Sequence, residues 1–166
     1  LEIKVPKKLT KELAYFIGFH IGDGTLTCNS KKFDYIIGYT GHLRDEYGLH
    51  KNILMPLIKR LFNKDVTLSE DKRENKCSIR IYFRSKAIFT FLSCVFELPI
   101  GSKKNSGLPA LIKNSTKEIK TNFLRGLADT DFSLTFKRKN KKIHYYPTID
   151  LGSASSLLIK DVKDLL

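Results

Sequence analysis

The chain has 166 residues, 42% of them apolar, enough for one domain or two small fused ones and too many for a disordered polar chain. It carries 30 Lys and Arg against 17 Asp and Glu, and the net charge of +13 favours a polyanionic partner. No run approaches the roughly 20 apolar residues of a membrane span, the Lys-broken first ten residues are not a signal peptide, and Cys28, Cys77 and Cys94 are too scattered for a disulfide framework or a structural zinc. The expected setting is a reducing compartment without membrane attachment, cytoplasmic or, in a eukaryote, an organellar matrix. The chain begins at Leu1 without Met and stops at Leu166 inside an apolar periodic segment, so it reads as a fragment or a processed product.

In chain order, Lys11 to Asp23 is a helix that is apolar almost all round and ends in an acid. A strand follows, in which Thr25, Thr27 and Asn29 oppose Leu26 and Cys28, and a second strand runs through Thr40, His42 and Arg44. Glu46 to Phe62 has helical spacing but is interrupted by Pro56, which predicts a kink or a late start. From Lys76 to Arg84 residues alternate: Cys77, Ile79, Ile81 and Phe83 face inward, and Lys76, Ser78, Arg80, Tyr82 and Arg84 face outward. Ser85 caps an amphipathic helix to Phe96, and Leu98 to Gly107, with Lys103 and Lys104 inside it, is a linker.

Lys117 to Asp131 is a second apolar, acid-ended helix. Ser133, Thr135, Lys137 and Lys139 then oppose Leu134 and Phe136. His144, Tyr146, Thr148 and Asp150 oppose Ile143, Tyr145, Ile149 and Leu151, and a last amphipathic helix begins at Leu157. Alternation of this kind packs one sheet face on a core and leaves the other in solvent. The outward face is rich in Lys, Arg, Thr, Ser, His, Tyr and Asn and poor in acids, a set that suits phosphates and base edges.

The two acid-ended helices form an internal duplication, their terminal carboxylates 131 − 23 = 108 positions apart. Gly18 and Gly22 in one, and Gly126 and Thr130 in the other, are small residues four apart, which lets two helix backbones approach closely. Side by side, the helices would bring Asp23 and Asp131 together at their C-terminal ends. There a carboxylate is disfavoured by the helix dipole and by its neighbour's charge, and a hard divalent cation removes both penalties. Metal-assisted phosphodiester hydrolysis at the centre of a basic sheet surface is the chemistry expected. Asp129 is also available, but its counterpart in the first copy is Ile21, so Asp131 is the candidate. His20 is expected as a packed core residue, and His144 as a nucleic-acid contact.

The sequence resembles the LAGLIDADG homing endonucleases. Phe16 to Gly24 reads FIGFHIGDG, Leu124 to Phe132 reads LRGLADTDF, and LPIGSKK with Pro109 lies between the two. The resemblance implies an α+β fold of two αββαββα halves forming a saddle over DNA, with a first repeat at 1–98, a linker at 99–115 and a second, truncated repeat at 116–166. It implies Mg²⁺ or Mn²⁺ bound by Asp23 and Asp131, with carbonyls lent by Gly22 and Thr130. It also implies cutting of both strands of double-stranded DNA by a monomer with pseudo-twofold symmetry. The face residues Thr25, Thr27, Asn29, Thr40, His42, Arg44, Lys76, Ser78, Arg80, Tyr82, Ser133, Thr135, Lys137, Lys139, His144, Tyr146 and Thr148 would read the target.

Three departures qualify the resemblance. Phe132 replaces the Gly that usually ends the motif. Only 166 − 131 = 35 residues follow Asp131, so the second copy holds two strands and the start of a helix. The basic residue that the family often places near its metals is best matched by Arg84 and Lys86, with His42 and Arg44 as further candidates. Alternative readings are a non-cleaving binder, either a maturase on structured intron RNA or a DNA-binding regulator, and the nuclease part of an intein.

Overall fold

Helix α1 (Lys11–Asp23) opens where the Thr10 hydroxyl accepts the Leu13 N–H at 3.2 Å. Helix α6 (Lys117–Asp131) opens in the same way on Thr116. These details come from a computed structural model that describes residues 2–71, 77–138 and 145–166. Both helices span the expected residues, and both begin on Thr-Lys-Glu, at 10–12 and 116–118, so the duplication extends to the caps. The helices lie side by side and parallel: Lys11 pairs with Glu118 at the opening turns, and Gly22 abuts Thr130 at the far ends.

Glycine makes that contact possible. A Cβ on Gly18 would stand 2.0 Å from the Phe123 carbonyl oxygen, and one on Gly126 would stand 2.0 Å from the Tyr15 carbonyl oxygen. Backbone therefore rests on backbone, reciprocally, across the pair.

The first copy continues as β1 (Gly24–Asn29), β2 (Asp34–His42), α2 (Tyr47–Leu49) and α3 (Met55–Phe62), then β3 (Leu68–Asp71), β4 (Ser78–Arg84) and α4 (Lys86–Thr90). The strands form one antiparallel sheet in the order β1-β2-β4-β3. Leu26, Ile37, Tyr39, Ile79, Ile81 and Phe83 point into the core, as the alternation requires. Phe16 of α1 packs edge-on against Phe62 and Tyr39 there, with ring centroids 5.2 and 6.1 Å away.

The interruption expected at Pro56 takes the form of a widened, π-helical turn, His50–Leu54, just before the proline. Proline has no N–H for the regular ladder, and the chain loosens where that bond is missing. Ser85 caps α4, accepting the Ile88 N–H at 3.3 Å.

The second copy departs from expectation. After α5 (Ala110–Lys113) and α6 it has β5 (Phe132–Arg138) and β6 (Tyr145–Leu151), a two-stranded sheet, and then α7 (Ser156–Lys163). The faces alternate as read, but the apolar one is not packed on a core: Leu134, Phe136 and Ile149 are 60%, 59% and 69% exposed. For the same reason α6 buries only one side, through Phe123, Gly126 and Leu127, whereas α1 is buried from Leu13 to Ile21. Arg44 lies in the turn after β2 rather than on a strand.

Replacing Gly18 or Gly126 with Ala forces the helices apart and should lower the unfolding free energy by about 2–4 kcal/mol. Gly48→Ala, whose added carbon would meet nothing nearer than 3.9 Å in a helical turn, should raise it by about 0.5 kcal/mol. Urea titrations of the three variants check this.

Candidate active site

Asp23 and Asp131 are the last residues of α1 and α6. A Cβ on Gly22 would fall 1.9 Å from Thr130 Oγ1 and 3.3 Å from Asp131 Cγ, so the two acids are brought together at one end of the pair. Burial, then Glu46, then Asp131 push the Asp23 carboxyl up to about 7, and Lys103 opposes them. Burial also raises Asp131, again against Lys103. Two parallel helices point their negative dipole ends at the same place, which adds to the cost of ionising either acid. Asp23 Oδ2 is buried, and among the described residues no group donates to it.

The cation present is Lys103, from the segment between the copies. Its ammonium donates to the carbonyls of Ile21 at 2.8 Å, His20 at 3.4 Å and Gly22. The Ile21 and Gly22 carbonyls are end-of-helix acceptors that α1 itself leaves unpaired, whereas the His20 carbonyl also accepts the Gly24 N–H. Burial lowers the pKa of Lys103, while Asp131 and Asp23 hold it up. A cavity of about 270 Å³ opens beside Lys103 and Asp131, walled by Gly152 to Ser155.

The donor set fits one hard divalent cation. It offers two carboxylates in unfavourable company and one buried carboxylate oxygen without a donor among the described residues, whereas the Gly22 carbonyl expected beside them is taken by Lys103. Among the described residues no group of three or more His, Cys, Asp or Glu side chains is placed to hold a metal, so the two aspartates stand without a third such side chain.

Other groups sort around this centre. Asp129 is taken by the Tyr15 hydroxyl, which donates to it at 2.6 Å across the helix pair. His20 is buried, shares a 2.9 Å hydrogen bond with the Tyr39 hydroxyl, and is pushed down to about 3 by burial and by Lys103, which keeps it neutral. Glu46 accepts the His42 N–H and is a further acid whose charge raises Asp23.

Thr25, Thr27, Asn29, Thr40, His42, Ser78, Arg80 and Tyr82 share the outward face of the first sheet. Tyr82 lies over Gly38, where a Cβ would be 2.2 Å from its ring, and its hydroxyl meets Thr40 Oγ1 at 3.3 Å. Ser133, Thr135, Lys137, Tyr146 and Thr148 line the corresponding face of the second sheet. Lys76, Lys139 and His144 lie outside the described residues.

That face is less purely basic than the strands read alone. Asp34, Asp71 and Asp150 share it, pairing with Arg84 at 2.6 Å, Arg80 at 3.9 Å and Lys137 at 3.5 Å. The Arg84 and Lys137 ends of these pairs are largely exposed, which keeps their contribution small.

Arg84 and Lys86 are not brought to the carboxylates. Arg84 sits opposite Ile36, and Ile36 opposite Thr27, roughly 10 Å along the strands from Gly24. Its side chain turns further away to bind Asp34, which holds its pKa up. Lys86 leans over the Tyr35 ring, 5.7 Å from its centroid. Lys103, by contrast, lies in a segment with no period, where nothing in the sequence sets it apart from Lys104.

No family model matches the sequence. An alignment 131 positions long, covering 76% of this chain, is 33% identical to part of the replication factor C small subunit of Methanocaldococcus jannaschii, and covers 7% of that protein. Among solved structures, mesophilic variants of the homing endonuclease I-DmoI superpose with a TM-score of 0.55 at 16% identity, over 76% of this chain and 61% of theirs. I-DmoI in complex with DNA and Mn superposes with a TM-score of 0.52 at 19% identity, over 76% of this chain and 64% of that one. The chain thus spans a small part of the curated relative and less than two thirds of these solved chains. It has the α+β fold of the LAGLIDADG homing endonucleases.

The raised carboxyl of Asp23 has a thermodynamic signature. Between its unfolded value near 4 and its folded value near 7, folding keeps a proton that the unfolded chain has lost. The contribution of Asp23 therefore grows more unfavourable as pH rises through that window and is fully present above it. Without divalent cations, Asp23→Asn should be more stable than the parent by about 1–2 kcal/mol at pH 8, a figure reduced for the solvent that reaches the group. The difference should vanish at pH 4. Thermal unfolding in chelator across pH 4–8 measures it.

Proposed function

We propose that the chain is a site-specific endonuclease that hydrolyses phosphodiester bonds in double-stranded DNA, with Mg²⁺ or Mn²⁺ held by Asp23 and Asp131. The observation that carries the reading is a convergence. Two carboxylates from two duplicated helices, and one lysine, meet where each helix hands over to a sheet with a polar, partly cationic outward face. The structural neighbour I-DmoI is described in complex with DNA and Mn, which supports both the partner and the cation.

When bound, such a cation supplies polarisation of a phosphoryl oxygen and activation of a water. Asp23 and Asp131 would hold it as anions beside the Thr130 carbonyl, and the Gly22 carbonyl would join them on release of Lys103. Lys103 Nζ sits beside the acids, able to donate to a non-bridging phosphate oxygen. The threonines, asparagine and cations of the outward rows seat the duplex: Lys and Arg neutralise phosphates, and the shorter polar groups meet base edges. A monomer suffices, since both aspartates belong to one chain.

The relative from M. jannaschii favours the intein-type origin among the alternatives: an alignment of 131 positions filling 7% of a host protein is what an inserted nuclease module looks like. The non-cleaving alternative, an RNA-gripping maturase or a DNA-binding regulator, draws on the short second sheet, which offers fewer target contacts than the first.

Cleavage of a randomised duplex library in Mg²⁺ tests the reading, and an intact, folded chain that cuts nothing overturns it. Asp23→Asn and Asp131→Asn should each reduce cleavage by about 10³-fold, while DNA affinity stays within about threefold. Affinity should fall by about 10³ between 50 and 200 mM salt if six or more phosphates are neutralised. Gel shifts comparing duplex DNA with structured intron RNA at fixed salt separate the nuclease from the maturase.

A further inference from the structure

Lys103 reaches the acids from a segment without regular structure, yet it is tied down on both sides. Upstream, the Gly101 N–H donates to the Leu26 carbonyl of β1 at 2.8 Å. Downstream, the Lys103 carbonyl accepts from both the N–H and the hydroxyl of Ser106, at 3.1 and 2.7 Å. The Ser106 carbonyl in turn accepts the hydroxyl of Ser155 at 2.7 Å. Ser155 is buried and caps α7, accepting the Leu158 N–H at 3.2 Å. Further along α7, Asp161 accepts the Leu108 N–H at 2.8 Å and pairs with Lys113 at 2.7 Å, clamping the same segment again.

We propose that Ser106 and Ser155 are positioning residues: through them the first turn of α7 helps hold Lys103 over the end of α1, adding a restraint from the second copy to those from β1 and α1. The inference rests on the nuclease reading for its consequence in catalysis, but not for its geometry. A lysine on a free linker would spread over many rotamers, and the fixed carbonyl of Lys103 confines where its ammonium can reach. The relay also gives α7 a function in a copy whose sheet is otherwise small.

Two readouts test it. The first is independent of activity: acetylation of lysines by an amine-reactive reagent, followed by mass spectrometry. Lys103 should be protected relative to the exposed Lys104 in the parent. Ser106→Ala and Ser155→Ala should each raise its labelling rate by about tenfold, the worth of one buried hydrogen bond, with Lys104 unchanged. Ser155→Thr, which keeps both the cap and the donor, should restore protection. Because Ser155→Ala also removes a helix cap, Ser106→Ala, which caps nothing, carries the test should α7 fray.

The second readout is a double-mutant cycle on DNA cleavage. Ser106→Ala should slow cleavage by about tenfold in the parent and have no further effect in a Lys103→Met background, at unchanged DNA affinity. Unchanged labelling in both serine variants, or an equal loss of cleavage with and without Lys103, overturns the proposal. A chain that never cuts DNA but whose Lys103 becomes exposed in Ser106→Ala sinks the nuclease reading and leaves the relay standing.

Discussion

Everything at the centre of this molecule depends on two helix backbones touching. Gly18 against Phe123 and Gly126 against Tyr15 leave no room for a side chain, and the approach is reciprocal, so the pair has a near-twofold relation at its core. Because the helices run parallel, the contact that fixes their spacing also fixes where their last residues meet. The spacing, and not any pairing between the acids themselves, brings Asp23 and Asp131 together. Left to their own electrostatics the two carboxylates would part, so the energy that holds them comes from packing one turn and more away.

This geometry concentrates negative potential. Two helix C-termini, two carboxylates and the nearby Glu46 face one small region, and Lys103 is the cation that the described residues place against them. The lysine bonds to helix-end carbonyls rather than to either acid in a salt bridge. That arrangement moderates the field without using up the carboxylate oxygens, and Asp23 Oδ2 is left without a donor among the described residues. A site built only for stability would pair its charges directly, as Asp161 does with Lys113. Here the charges are held near one another and kept from pairing, the condition in which a ligand of suitable charge gains most.

The helices and most strands were legible because each expresses a period. α1 and α6 end where their acids were placed, and the outward rows of β1, β4 and β5 follow alternation residue by residue. Features without a period were not legible. Lys103 sits in a linker, and its selection over Lys104 is a matter of tertiary hydrogen bonds. Arg84 matches the basic residue that the family resemblance implies, but the partner that claims it, Asp34, lies on β2, fifty residues away in sequence. Asp71 belongs to β3, a four-residue strand too short to announce itself. The charge of the outward face was accordingly read as more uniform than it is.

The halves also differ in a way that alternation cannot predict. A period of two shows that one face of β5 and β6 is apolar, but burial needs a second layer. In the first copy that layer is α1 and α4, which lie against β1 and β2, with α3 packed on α1. In the second, α7 leaves Leu134, Phe136 and Ile149 in solvent and spends Leu158 and Val162 on the shared core instead. The result is an asymmetric module: one copy supplies the larger sheet, the other supplies half of the acid pair and, through Ser155, a restraint on the central lysine. On the nuclease reading, affinity for a target resides mainly in the four-stranded sheet, whereas the chemistry needs both copies. Binding and cleavage are then separable in this chain, because they are built from different amounts of each half.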